Sequence, residues 1–273
     1  MKSISNTELK EIELNILLAV AEYCEKNNLQ YFLAYGTLIC AVRHSGFIPW
    51  DDDVDIMMPR KDYNYLINHF NEDMAGTPYH AIIPFSEHSR HTILKIGDNR
   101  TIKREPEYRY TNDTKAGMID IDVFPLDGVP EELSQYKIWY KNLYALYNSY
   151  FLKIRTFKNL NIKSKIKIFI KKVSLFFSTT KESIMKKTHE LHNKYPFDEC
   201  NYVGCVECCW NSGKNHFKKE LFSEYELLSF CNHELRVPVG YDEVLRSLYG
   251  DYMKLPPKEA QVPMHSMDIF WKE

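Results

Sequence analysis

The chain has 273 residues, 44% hydrophobic, 14% aromatic and 26% charged, with a formal net charge of −2. This suits a folded globular protein with one good core, or one core with an appended helical part. A near-neutral balance excludes a polyanion binder and predicts no nucleic-acid partner, and no apolar run reaches the roughly 18 residues of a membrane span. Met1-Lys2-Ser3-Ile4-Ser5 leads straight into a polar helix, so no signal segment is expected. Seven cysteines, an odd number, point to reduced thiols and a cytoplasmic location. The charge is segregated: Lys153 to Lys187 carries eleven Lys and Arg against Glu182 alone, net +10, leaving −12 for the rest.

Ser5 with Glu8 three residues on is a capping-box pattern. Leu9, Ile12, Ile16, Val20 and Tyr23 recur at helical spacing, predicting a helix over about 6–26 that stops at Asn27-Asn28. Tyr31 to Tyr35 reads as a short strand. Gly36 permits a tight turn and Thr37 can cap a helix from Leu38 to His44. A loop through Pro49 precedes a strand from Val54 to Met58, ended by Pro59. Lys61 to Phe70 is a helix pattern. Ala81 to Phe85, Thr92 to Gly97 and Met118 to Phe124 are strand patterns, the last closed by Pro125 and an Asp127-Gly128 turn. Glu131 to Thr156, Asn161 to Phe177 and Lys181 to Lys194 read as helices. The second of these carries Ile162, Ile166, Phe169, Ile170, Val173 and Phe177 along one stripe. A short strand near Asn201 to Val206, mixed structure, and a helix over Tyr241 to Tyr249 complete the chain.

The densest chemistry lies in Asp51-Asp52-Asp53-Val54-Asp55. Alternate side chains on a strand share a face, so Asp53 and Asp55 point the same way. Two carboxylates so placed repel unless a cation sits between them. Mg²⁺ (or Mn²⁺) takes oxygen ligands and keeps room for substrate phosphates, so the pair suggests metal-assisted phosphoryl chemistry. Asp51 shares their parity and Asp52 opposes it; either can also be a solvated loop acid. Gly36 and Thr37 open a helix whose free N–H groups favour a phosphate. Arg43 can hold a phosphate or pair with the acidic run.

Cys205-x₂-Cys208, with Cys200, Cys209 and His216 near, fits half a zinc site, but no second clean pair follows; core thiols are the expectation. Trp50, Tyr31, Tyr35 and Tyr110 are of the type that cages a quaternary ammonium, although most of the 19 Tyr must be ordinary packing.

Phe32-Leu-Ala-Tyr-Gly-Thr-Leu, Ala41-Val-Arg-His-Ser-Gly-Phe-Ile-Pro-Trp-Asp-Asp-Asp-Val-Asp-Ile and Ile121-Asp-Val-Phe-Pro-Leu-Asp-Gly resemble the LicD family. The likeness continues at Val237-Pro-Val-Gly-Tyr-Asp-Glu-Val-Leu and Leu248-Tyr-Gly-Asp-Tyr-Met-Lys-Leu-Pro-Pro, spanning roughly 10–265. It implies a single catalytic domain over 1–273 of α+β class, a nucleotidyltransferase-like mixed sheet with flanking helices. A basic helical insertion lies at about 131–195. A site of that type needs two carboxylates on one strand and a third on its neighbour. Asp53 and Asp55 would supply the pair. Asp122, in its apolar-acid-apolar setting, would be the third, with Asp120 a weaker candidate. Lys95 and Arg100 fall in a segment resembling the family's central strand and turn, and are candidate phosphate binders. His265 lies in a tail resembling the family's, where a surface histidine is the plainer reading.

The activity implied is transfer of a phospho-alcohol, most often phosphocholine, from a CDP-linked donor such as CDP-choline to a hydroxyl of a glycan or lipid-linked glycan. The basic stripe-bearing helix either packs on the catalytic core or touches the inner membrane face. Ribitol phosphate transfer is the neighbouring alternative. A glycosyltransferase using Asp53-Val54-Asp55 would normally carry a longer sheet before that motif. A calcium loop is disfavoured by Ile56 and Asp62 where glycine and glutamate belong.

Overall fold

The computed structural model describes residues 1–86, 91–104, 117–154, 161–205, 214–263 and 267–273, and only the backbone of 174–178. The first helix, α1, spans Asn6–Lys26. Ser5 Oγ accepts from the Glu8 amide and Glu8 Oε2 from the Ser5 amide, closing the expected capping box. Its buried stripe, Leu9, Ile12, Ile16, Val20 and Tyr23, is the one the spacing predicts.

Strand β1 is only Phe32–Leu33. Helix α2 begins at Tyr35 and runs to Ile39, continuing as a π-turn over Cys40–His44. The expectations for Gly36 and Thr37 are corrected here. The left-handed residue at the strand-to-helix elbow is Tyr35, at φ +46°, and the helix N-cap is Ala34, which makes no side-chain cap bond. Gly36 and Thr37 both lie inside the helix. Gly36 lies beside Asp51: a Cβ there would meet Asp51 Oδ2 at 3.4 Å, an ordinary van der Waals contact.

Strand β2 is Asp55–Pro59, one residue later than expected, so Asp53 precedes the strand. Helix α3 is Arg60–Asp73. Strands β3 (Tyr79–Ile82), β4 (Leu94–Arg104) and β5 (Gly117–Val129) follow. The predicted stop of β5 at Pro125 fails. β5 pairs with β2 as far as Leu126 and then exchanges it for β6 (Tyr202–Gly204), which pairs with Asp127 to Val129. Asp127-Gly128 is thus strand, not turn. Gly128 is required there because a Cβ would fall 2.4 Å from the Tyr195 carbonyl oxygen.

The main sheet runs β1-β2-β5-β4, with β3 and β10 (Asp268–Trp271) side by side on the far edge of β4. Strand β7 (Phe217–Lys218) extends it beyond β6. β2 and β5 are parallel; the other pairings are antiparallel. One face carries Ile56, Met58, Ile96, Ile121 and Val123 into a core with α1 and α3. The other carries Met57, Phe124 and Leu126 against Tyr35 and helix α7 (Tyr241–Tyr249).

Between β5 and β6, among the described residues, stand three α-helices, α4 (Leu133–Ile154), α5 (Ile162–Ser178) and α6 (Lys181–His192). Tyr136, Trp139, Leu143 and Tyr147 of α4 form a separate core with Val129. A buried polar group ties this layer to the sheet. Asp127 receives both Arg60 Nε (2.6 Å) and Nη2 (2.7 Å), and lies 3.0 Å from His192 Nδ1. His192 Nε2 meets Tyr147 Oη at 2.7 Å. Burial acts to raise the Asp127 carboxyl, but Arg60 and His192 prevail and hold it below the usual range. On α5, Ile162, Ile166, Phe169, Ile170 and Val173 are all exposed, so of the two readings of this helix packing on the core fails for them; the Phe177 side chain lies outside the described residues.

A hairpin of β8 (Tyr225–Phe230) and β9 (His233–Pro238) fills the stretch read only as mixed structure. Its two-residue turn, Cys231-Asn232, takes φ +51° and +66°, the twist that suits tight hairpins.

Candidate active site

Asp55 is the first residue of β2, held by its backbone from two sides. Its amide donates to Thr37 Oγ1 at 2.8 Å and its carbonyl accepts from the Ala34 amide at 3.0 Å. The elbow at Tyr35 therefore fixes where the strand begins. Asp122 on β5 lies directly opposite Asp55 in parallel register, and its amide donates to the Val54 carbonyl at 2.8 Å. Lys95 on β4 lies opposite Asp122 in turn. Asp55, Asp122 and Lys95 thus form a row across three neighbouring strands, perpendicular to the chain direction.

The row is short of positive charge. Lys95 Nζ donates to Asp122 Oδ1 and, at 2.8 Å, to Asp120 Oδ1. Lys103 Nζ stands 3.6 Å from Asp120 Oδ2. Burial would raise the Asp120 carboxyl, but Lys103 and Lys95 hold it below the usual range. Asp55 has less relief. It is 8% exposed, and burial, then the charges of Asp53, Asp122 and Asp51, push its carboxyl well up, with Lys95 opposing. Asp53 sits just outside the strand, in reach of Asp55 electrostatically. Asp51 accepts from Cys40 Sγ at 3.1 Å, and burial, then the charge of Asp52, raises its carboxyl.

An all-oxygen donor set with surplus negative charge suits a hard divalent cation. Among the described residues, no three His, Cys, Asp or Glu side chains already stand as a ready ligand set. Asp122 is drawn to Lys95 instead.

The other singled-out residues divide. Arg43 Nη1 donates to the Tyr252 carbonyl at 2.5 Å and Nε to His44 Nδ1 at 3.3 Å, with the charge of Asp51 acting on it. Arg100 is spent on Asp98, with Nε 2.9 Å from Oδ1. Cys205 is buried in the apolar face with Phe124 and Val203. Cys200 is a half-buried free thiol. His216 is stacked on Tyr202 and bonded to the Pro130 carbonyl at 2.9 Å. Cys208, Cys209, Tyr110 and His265 lie outside the described residues. Tyr31 carries the Arg236 guanidinium, 5.4 Å from its ring centre, and Tyr35 is buried against Phe124. Neither shares a cleft with Trp50, which lines one of about 570 Å³ with Phe47, Asp51, Asp52 and Phe270.

Lys95 as the partner of two acids was not read from the sequence. Its signal is present: Leu94-Lys95-Ile96 has the same apolar-charged-apolar form as Ile121-Asp122-Val123. Two such triplets on buried strands announce facing partners.

These features define a class: an α+β protein with carboxylates from neighbouring strands gathered on one face of its sheet. Residues 28–163 match the family described as LicD/FKTN/FKRP, nucleotidyltransferase domain. The chain is 33% identical, over 99% of its own length and 99% of the relative's, to the lipopolysaccharide cholinephosphotransferase LicD of Haemophilus influenzae. It belongs to the LicD family of phosphotransferases. A short stretch is also similar to an uncharacterized protein of Rickettsia prowazekii, 49% identical over 16% of this chain and 17% of that one. A second, of Rickettsia typhi, is 51% identical over 15% and 13% respectively.

Proposed function

We propose that this enzyme transfers phosphocholine from CDP-choline to a hydroxyl of a cell-surface glycan or its lipid-linked precursor. The observation that carries the reading is the parallel register of Asp55 with Asp122, two carboxylates side by side on one sheet face. The full-length likeness to a lipopolysaccharide cholinephosphotransferase supports the substrate class. The free thiols Cys24, Cys40, Cys200, Cys205 and Cys231 accord with a reducing, cytoplasmic setting.

Asp53, Asp55 and Asp122 would hold Mg²⁺ or Mn²⁺, which would neutralise phosphate oxygens and polarise the attacking hydroxyl. Thr37 keeps Asp55 in place through its backbone amide. Gly36 would face the donor phosphate from the first turn of α2, beside Asp51. Lys95 orients Asp122 and supplies the positive charge facing the donor. Arg43 fastens the π-turn to the Tyr252 carbonyl and so shapes the wall behind Asp51. The acceptor oxygen forms a bond to the phosphorus that bears choline, and the bond from that phosphorus to CMP breaks. The hydroxyl proton passes to the Asp122 carboxylate, and CMP leaves. Holding the reactants in line and neutralising charge supply most of the rate.

The test is CMP release from a panel of CDP-alcohols and nucleotide-sugars with Mg²⁺ and a glycan acceptor. CDP-choline is expected to be the preferred donor and excess chelator to stop turnover. CDP-ribitol as the sole donor would move the reading to ribitol phosphate. Nucleotide-sugars used while every CDP-alcohol fails would replace it with glycosyl transfer.

A further inference from the structure

Among the described side chains of helix α5, those that meet the rest of the protein lie on one side. Ile168 is 6% exposed, and Lys172 Nζ donates to the Lys153 carbonyl near the end of α4 at 3.2 Å. Ile162, Ile166, Phe169, Ile170 and Val173 are 76%, 54%, 59%, 63% and 41% exposed. At 3.6 residues per turn these five fall in an arc of about 100°, and Ile168 lies about 150° from its middle. The apolar stripe therefore points away from the protein. Lys163 borders the stripe on one flank and Lys165 on the other, about 70° and 90° from its middle, with Lys167 about 110° away, all exposed; Lys171, also exposed, lies about 150° away on the far side. A contiguous apolar surface on a folded chain marks an interaction site.

We propose that α5 is a membrane-surface helix that docks the enzyme on an anionic lipid bilayer. The stripe enters the boundary between headgroups and acyl chains, and the flanking lysines meet lipid phosphates. Charge selects this occupant. The segment from Lys153 to Lys187 carries net +10 within a chain of net −2. A second copy packed through the same face would set its lysine flanks against their own kind. A nucleic acid would satisfy the lysines and leave the stripe in water. Seventeen helical residues lying flat make a footprint about 25 Å long. Among the described residues no helix is long and apolar enough to cross a membrane, so the contact is peripheral. This inference stands apart from the donor reading, since it concerns a surface that supplies none of the carboxylates.

The test is co-sedimentation of the full chain with vesicles of phosphatidylcholine alone and with added phosphatidylglycerol. Binding to the anionic vesicles only, weakening as salt rises, is the expected result. Charge reversal of Lys163, Lys165 and Lys167 should lower partitioning by about a hundredfold or more, at roughly fivefold per basic residue. Ile166→Ser with Phe169→Ser should also abolish binding with all lysines intact. That variant should keep the wild-type melting temperature and circular dichroism, because both side chains are exposed. CMP release measured without vesicles should be unchanged in both variants, which separates failure here from failure of the proposed reaction. Equal binding to both vesicle types, or insensitivity to both variants, would overturn the proposal. So would a concentration-dependent dimer in sedimentation velocity that the serine variant dissolves, which would assign the stripe to a second copy.

Discussion

Asp55 and Asp122 face each other across the parallel β2–β5 pair, the acid at the mouth of one strand against the acid in the middle of the other. Asp122 has the Lys95 ammonium as partner, whereas Asp55 meets burial and three neighbouring carboxylates. The asymmetry makes Asp55 the costlier residue to keep ionised. It therefore gains most from a bound cation.

Asp55→Asn should reduce CMP release by about 10²–10³-fold, the scale on which a preorganised electrostatic group contributes. The same change should stabilise the metal-free protein at neutral pH. Because the folded state raises the Asp55 carboxyl, its contribution to stability falls as pH climbs above the unfolded carboxylate range near 4. The difference in melting temperature between variant and wild type should open with rising pH and close when Mg²⁺ is added. A pH-independent difference would contradict this.

Lys95→Met should destabilise by about 3 kcal/mol, because it takes the ammonium from Asp122 and leaves Asp120 with Lys103 alone. Added Mg²⁺ should then raise the melting temperature of the variant more than that of wild type, since only binding to the folded form stabilises it. Denaturant unfolding with and without the ion measures both effects.

Thr37→Val removes the acceptor for the Asp55 amide and should cost about 1–2 kcal/mol. A shift of the strand mouth should lower kcat more than it changes KM for the donor. Thr37→Ser, which keeps the hydroxyl, should restore both. Loss of activity in the serine variant would mean that the methyl group matters rather than the bond.

Asp127→Asn should cost about 3 kcal/mol by leaving the half-buried Arg60 without its anion. The Asp127 carboxyl is held low in the folded state, so its stabilisation is present above about pH 4 and is lost as pH falls below that. Wild type should show this acid loss and the variant should not. Hydrogen exchange should quicken first in α4 and α6, which the Asp127 group ties to the sheet.

Local signals were enough wherever the relevant physics was local. The capping box of Ser5 and Glu8, the apolar period of α1 and the bounds of α7 depend on neighbours three and four residues away, and they stand in the structure as the sequence implies. Asp122 was legible for a related reason: an acid between two buried β-branched residues can only sit on an interior strand. The turn read at Pro125-to-Gly128 misled because its residue types suit a turn. The chain stays extended because β6 replaces β2 as its partner, a pairing some 75 residues distant. The β8–β9 hairpin was missed because its turn is Cys-Asn rather than a glycine pair, and its strands alternate weakly.

The amino-acid sequence by itself determined the carboxylate motif, the family and the segregation of basic charge, because each is written in contiguous residues. Only the tertiary structure decided that Asp55 meets Asp122 in register, that Lys95 is committed to acids, and that Tyr35 rather than Gly36 makes the elbow. It alone decided that the apolar stripe of α5 faces outward. A stripe has the same spacing whether it packs on a core or on a bilayer, so its direction follows from where α4 holds the opposite side.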